Sequence, residues 1–429
     1  MRLVFLLLLT IAAGVAAPVA DPTDAEVDSL VQLYEHLHRN PELSYYEEKT
    51  AARLAKEIRA AGFDVTENVG GHGFVAVMRN GDGPVVMVRT DLDGLPVVEQ
   101  TGRGYASDVR TSDDQGRDVG VMHACGHDIH MSSFVGVARA LAKSKKEWRG
   151  TVVMIGQPAE ERVDGARLML ADGLFEKFPK PDYAVALHVA ADLPVGKVGY
   201  TPGYAMANVD SVDILVRGVG GHGAWPHKTK DPIVLAAQIV LALQTIVSRE
   251  TSPLDSAVVT VGSIHGGDKH NVISDEVKMQ LTVRTYADET RKRVIDSIRR
   301  ISLFTARAAG VPADREPVVT VLEKESTPST YNDPALAERL AGVWRKTFGV
   351  ENVVKTDPVM GGEDFSLFGR TEDKIPIMMF WLGTIDQPRF DKGGLPPLHS
   401  GLYWPDPEPS IRTGVRAMTA TVLDLLAKP

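Results

Sequence analysis

Cysteine is almost missing from this chain of 429 residues: Cys125 stands alone, so no disulfide closes within it and a packed core must hold the fold. An excess of positive charge is missing too. Lys and Arg number 47 against 56 Asp and Glu, a formal net charge of −9, which excludes the basic footprint that a nucleic-acid partner requires. Internal repeats and low-complexity tracts are lacking, which excludes solenoid and fibrous architectures. Long apolar runs are scarce. The run over 3–15 follows Arg2 and precedes the small residues Ala16 and Ala17, the pattern of a cleavable signal peptide over 1–20. It falls short of the ~20 residues that a spanning helix needs. No second run of spanning length is expected, so the reading is an exported protein, periplasmic or secreted, without a membrane anchor.

What is present is a globular composition, with 44% hydrophobic and 24% charged residues. The length exceeds the ~250–300 residues at which one core stops growing, so two domains are expected. Periodicity predicts helices over 25–39, 47–61, 131–142 and 165–171, and strands over 73–78, 85–89, 151–156 and 183–187. Such alternation implies an α/β, mostly parallel sheet covered on both faces. Between 211 and 322 the order becomes β-α-β-β-α-β, the split unit of a ferredoxin-like domain, and after 331 the α/β rhythm resumes. The expected division is a catalytic domain from 21–205 and 326–429, interrupted by a ferredoxin-like insert over 206–325.

Cys125 lies in the run His123-Ala-Cys-Gly-His-Asp-Ile-His130. A thiolate among imidazoles is a donor set for Zn²⁺ or a similar ion, where an isolated cysteine would be a small buried hydrophobe. Asp91, the pair Glu160 and Glu161, and His188 each follow a predicted strand, at the sheet edge where open α/β folds bind ligands. Any one acid there could instead cap a helix. Adjacent Glu160 and Glu161 point in different directions, so one can bind metal while the other moves a proton to or from water. The glycine run 218–223 imitates a dinucleotide loop but does not open into a helix, as that site requires.

Taken in order, His38-Arg-Asn-Pro-Glu42, Arg89-Thr-Asp-Leu-Asp-Gly-Leu-Pro96, His123–His130, Gln157-Pro-Ala-Glu-Glu161, Leu187-His188, Gly361-Gly-Glu-Asp-Phe365 and Leu398-His399-Ser400 form a recognisable set. The set resembles the hippurate hydrolase and indole-acetyl-amino-acid hydrolase branch of the aminoacylase and carboxypeptidase family of di-metal hydrolases. The resemblance covers nearly the whole mature chain. It implies a zinc-peptidase-like fold whose insert serves as lid and dimerisation domain. It further implies two divalent ions, zinc or manganese, held by Cys125, His127, Glu161, His188 and His399, with Asp91 supporting them and Glu160 as general base. Cys125 takes the bridging position that an aspartate holds in the wider family, and Arg89 stands where an early histidine would be, with His127 making good the loss. His222, in Gly220-Gly-His-Gly-Ala-Trp-Pro-His227, would polarise the scissile carbonyl in the partner subunit's site, which calls for a homodimer. Asn271 and Arg284 would contact the substrate's carboxylate, a task suited to a planar guanidinium. The implied activity is hydrolysis of small N-acyl amino acids to a carboxylic acid and an amino acid. A dipeptidase or carboxypeptidase of the same family is the alternative within enzymes. A non-catalytic exported binding protein with structural metal is the alternative outside them, and such a protein would have no use for Glu160.

Overall fold

Eight strands form the larger sheet, in the spatial order Asp64–Glu67, Phe74–Asn80, Gly150–Gln157, Val85–Asp91, Tyr183–Pro194, Ile377–Ile385, Val198–Tyr200, Val353–Lys355. This is a computed structural model, and it describes residues 20–427; the signal peptide expected over 1–20 lies outside the described residues except for Ala20. The four central strands run parallel, and antiparallel pairings flank them, so the sheet is mixed around a parallel centre. The central strands are covered on both faces, as parallel strands are, and Ile377–Ile385 is buried at every position. Alternate residues then serve opposite cores. Met378, Phe380 and Leu382 join Val88 and Met154 under helices that contribute Leu30, Leu54, Phe134, Leu340 and Val415. Ile377, Met379 and Trp381 face the other way, onto Met169, Phe365 and Phe368.

The insert has the expected β-α-β-β-α-β order. Its four strands form an antiparallel sheet in the order Ala257–His265, Glu276–Thr285, Asp210–Arg217, Val318–Val321. Burial alternates strictly along Asp210–Arg217, as it must in a sheet covered on one face, and the helices Pro232–Thr245 and Asp288–Ala308 supply the cover. Both connections to the catalytic domain lie side by side, with Val209 and Thr327 bridged.

Some expectations need correction. The helix expected from 131 starts at His127, which brings two more histidines of the motif onto its first turn. The strand expected over 183–187 continues to Pro194, so His188 sits within a strand and not beyond its end. The short strands Asp64–Glu67, Val198–Tyr200 and Val353–Lys355 went unseen because three or four residues carry too little periodicity. A second run of spanning length does exist, since the helix Pro232–Glu250 is long and apolar enough. One face, Leu235, Ala236, Ile239, Leu243 and Ile246, is buried against the insert's sheet, while Ile233, Val234, Leu241 and Val247 on the rest of the helix are exposed.

The central helix His127–Lys143 touches its neighbours at Gly136, where a Cβ would lie 2.3 Å from Val415 Cγ2 and 2.8 Å from Leu30 Cδ1. Gly136→Ala is therefore expected to destabilise the fold by about 1–3 kcal/mol through overpacking. Denaturant unfolding at constant m-value reads this directly, and an unchanged midpoint would refute the close approach.

Candidate metal centre

Five segments converge at the carboxyl edge of the parallel strands. Asp91 ends its strand, Cys125 and His127 flank the start of a helix, and Glu160 and Glu161 open the short turn Glu160–Arg162. His188 comes from the neighbouring strand and His399 from the loop before the last helix. Gly126 makes the approach possible. Its φ of 74° is left-handed, and a Cβ there would meet Val189 Cγ2 at 2.7 Å.

Cys125 Sγ lies 3.6 Å from His188 Nε2. His188 Nδ1 donates to the Val189 carbonyl at 2.8 Å, which fixes the ring with Nε2 toward the thiol. In the same way His127 Nδ1 donates to the Asp93 carbonyl at 2.8 Å. His127 Nε2 is then buried without a hydrogen-bond partner, 3.7 Å from Asp91 Oδ2, 3.7 Å from Glu160 Oε2 and 3.8 Å from Glu161 Oε1. Glu161 Oε1 is buried and unpartnered as well, while its Oε2 lies 3.6 Å from His399 Nε2. Two triads, Cys125 with His127 and His188, and Cys125 with Glu161 and His399, each gather their donor atoms within 4.8 Å. His130 is close but spent: Nδ1 bonds Asp91 Oδ1 at 2.8 Å and Nε2 accepts from the Val189 amide at 2.9 Å.

Around this cluster runs a shell of buried charge. Arg89 donates to Asp91 Oδ2 at 2.6 Å, Glu363 Oε1 at 2.7 Å, Asp364 Oδ1 at 3.3 Å and Gln157 Oε1 at 3.0 Å. Burial, with Glu363 and Glu161 beside it, holds Glu160 well above the usual carboxylate range, and Arg89 opposes that rise. Burial also lifts Glu161 to about 8, where nearby His127 works against the repulsion of Asp93 and Asp91. Burial, with Glu161, Glu160 and Asp91 beside it, pushes the Cys125 thiol up. Crowded carboxylates, a thiol and two unpartnered buried donor atoms are what a divalent cation would relieve, so these residues fit such a group.

Sequence reasoning missed Asp93. Its Oδ2 accepts from Ser44 Oγ at 2.6 Å and from the Glu161 amide at 3.0 Å, while its carbonyl holds His127, so it orients two candidate ligands at once. The signal was the Asp-Leu-Asp spacing of Asp91 and Asp93.

A cleft of about 1370 Å³ opens on the cluster, with Cys125, Glu160, Glu161, His188 and His399 on one wall and Arg284 on the insert's side. Arg284 Nε donates to Thr282 Oγ1 at 3.1 Å, and no described carboxylate pairs with it. His222 and Asn271 are elsewhere. They sit on the exposed ribbon formed by Gly221–His222 and Val272–Ile273, where Asn271 accepts from the Gly223 amide and the His222 ring lies 4.7 Å from Trp225. Neither lines the cleft of its own chain.

Residues 87–424 match the family described as Peptidase family M20/M25/M40. The chain belongs to that family. It is 35% identical over 383 residues to the thermostable carboxypeptidase 2 of Saccharolobus solfataricus, covering 88% of this chain and 91% of the relative. It is 35% identical over 361 residues to an N-acetylcysteine deacetylase of Bacillus subtilis, covering 83% and 88%. Among solved structures it is similar to YXEP of Bacillus subtilis, a dinuclear metal binding peptidase from the M20 family, with a TM-score of 0.77, 29% identity and coverage of 94% and 99%.

His38 gives the site's surroundings a pH dependence. It lies between Asp128 Oδ2 at 2.6 Å and Glu99 Oε2 at 3.1 Å. Burial opposes its charge, but the two carboxylates prevail and raise it to about 9. A folded value above the ordinary 6.5 means that the stability is fully present below pH 6.5 and is lost as pH climbs through about 9. The unfolding midpoint of the wild type is expected to fall more steeply over that window than that of His38→Gln. Parallel profiles would remove His38 from the account.

Proposed function

We propose that this chain is a metal-dependent amidohydrolase that cleaves N-acyl amino acids to a carboxylic acid and an amino acid. The observation that carries this reading is Glu160, a buried carboxyl whose Oε2 lies 3.7 Å from unpartnered His127 Nε2, in a cleft that also holds the carboxylate-free Arg284. A deacetylase of an N-acetyl amino acid among the relatives supports the substrate class, and the dinuclear peptidase supports two ions. Cys125, His127, Glu161, His188 and His399 would hold them. Divalent ions there supply Lewis acidity and bring the pKa of water toward ~7.

Glu160 accepts the proton of the attacking water and passes it to the departing nitrogen, so the amine leaves neutral. Arg89 keeps Glu160 able to ionise among Glu363, Asp364 and Glu161. Arg284, with Asn271 of the partner subunit, holds the substrate carboxylate and sets the amide across the cluster. His222 of the partner subunit donates to the developing oxyanion. Export and a homodimer paired through the insert belong to the same reading. The relative named a carboxypeptidase favours a second reading, in which the acyl half is a peptide. Assays with zinc or manganese on acetyl-, benzoyl- and lauroyl-amino acids beside peptides decide between the two by relative kcat/KM.

Glu160→Gln is expected to retain both ions and to lose about 10²–10⁴-fold in kcat. Near wild-type turnover at full metal content would remove it as base, and loss of metal would make it a ligand.

Assembly is tested by mixing two inactive variants, Glu160→Gln and His222→Ala, under conditions of subunit exchange. A mixed dimer has one site with Glu160 from its own chain and His222 from the other. Activity is expected to return to about a quarter of wild type when mixing is statistical. No recovery despite demonstrated exchange would place His222 in its own subunit's site or outside catalysis.

A further inference from the structure

The loop carrying Glu160 and Glu161 is not in a relaxed conformation. Ala159 and Val163 both occupy the left-handed region, at φ 49° and 48°, and a β-branched valine is there only when its surroundings force it. Gly165 closes the loop so tightly that a Cβ would lie 1.5 Å from the Pro158 carbonyl oxygen. Three carboxylates of the catalytic domain grip its backbone amides: Glu47 takes Ala159 at 2.7 Å, Asp93 takes Glu161 at 3.0 Å and Asp364 takes Ala166 at 2.9 Å.

A fourth grip differs in kind. Arg167, in the helix Gly165–Ala171, pairs with Asp164 and donates to the carbonyls of Glu323 at 3.0 Å and Ser326 at 2.8 Å, with Lys324 at 3.5 Å. Those carbonyls belong to the segment by which the chain leaves the insert and returns to the catalytic domain. The other crossing segment is bridged to it at Val209 and Thr327 and is tied to the insert by Asn208 Oδ1, which accepts from both Thr285 N and Thr285 Oγ1 at 2.6 Å. Any rotation of the insert must turn about these two segments. A planar guanidinium that holds the carbonyls of Glu323 and Ser326 while pairing with Asp164 passes that movement to Asp164, the residue after strained Val163, in a way that a single ammonium would not.

We infer that Arg167 is a positioning residue that makes the conformation of the Glu160 loop depend on the orientation of the insert. Glu160 is then set for proton transfer when the insert holds Arg284 over the cleft. The inference rests on the role proposed for Glu160, but its central test does not require hydrolysis. Native-state hydrogen exchange of the amides of 159–166 is compared in wild type, Asn208→Ala, Arg167→Ala and the double variant. Asn208→Ala loosens the hinge, and it is expected to speed exchange in 159–166 when Arg167 is present and to leave it unchanged when Arg167 is absent. An equal effect in both backgrounds, zero included, overturns the coupling. Where Arg167→Ala does not fold, Arg167→Lys replaces it, keeping the charge and losing the fork. On the substrate identified by the assays above, Arg167→Ala is expected to lower kcat by about 10–100-fold with full metal content and a KM within about threefold of wild type. Wild-type kcat would overturn the positioning role even if exchange were altered.

Discussion

Negative charge without enough water to solvate it is the constraint on which the rest of this structure depends. Asp91, Asp93, Glu160, Glu363 and Asp364 are all buried at the carboxyl edge of the parallel strands, and Arg89 reaches three of them. Unpaired charges in such a place cost several kcal/mol each, so every carboxylate must be tied to a donor or share a cation. The sheet makes this possible. Its central strands are apolar on both faces, which lets the acids appear only where the strands end or the chain turns away. The cluster is thus a property of the edge, and the two apolar cores on either side keep its geometry.

That arrangement explains what could be read from the chain and what could not. Apolar runs and amphipathic periods marked the central strands and the covering helices, and the change of rhythm after 211 marked the insert, because each reflects burial of a whole face. The motif residues were legible for another reason: Cys125, Glu160, Glu161 and His188 are chemically out of place within or next to apolar strands and helices. His130 shows the limit. It has the same spacing credentials as His127, and only the hydrogen bonds to Asp91 and the Val189 amide take it out of the donor set. Asp93 shows the reverse, since its importance comes from what it touches: Ser44, His127 and the Glu161 amide, partners distant in sequence.

His222, Asn271 and Arg284 come from one inserted domain and yet separate in space. Arg284 stands one residue before the end of the strand Glu276–Thr285 and lines the cleft, while His222 and Asn271 share an exposed ribbon away from it. No spacing in the sequence distinguishes these destinations. In the proposed dimer the site is completed by a second copy, and that reading has a simple physical consequence: the ribbon can be exposed in one chain without leaving a buried polar group unsatisfied. His222 is accordingly among the residues that solvent can reach, in contrast to the buried cluster around His127.

The two halves of the proposed chemistry thus have opposite mechanical requirements. The donor cluster must be rigid, and it is held by buried carboxylates on backbone amides and by histidines locked to carbonyls, all within one domain. Substrate capture needs a domain that can move, because a cleft of this size must admit an amide and then exclude water around it. Rigid and mobile parts can cooperate only if some contact reports the position of one to the other. Among the described contacts, the catalytic domain offers Arg370 to Asp288 at 2.9 Å, a partly exposed ion pair of little weight. It also offers Arg167 to the returning segment, a fork on backbone carbonyls. The second reaches the loop of Glu160 and the first does not, so the strained turn at Val163 lies where movement of the insert can be felt by the residue that handles the proton.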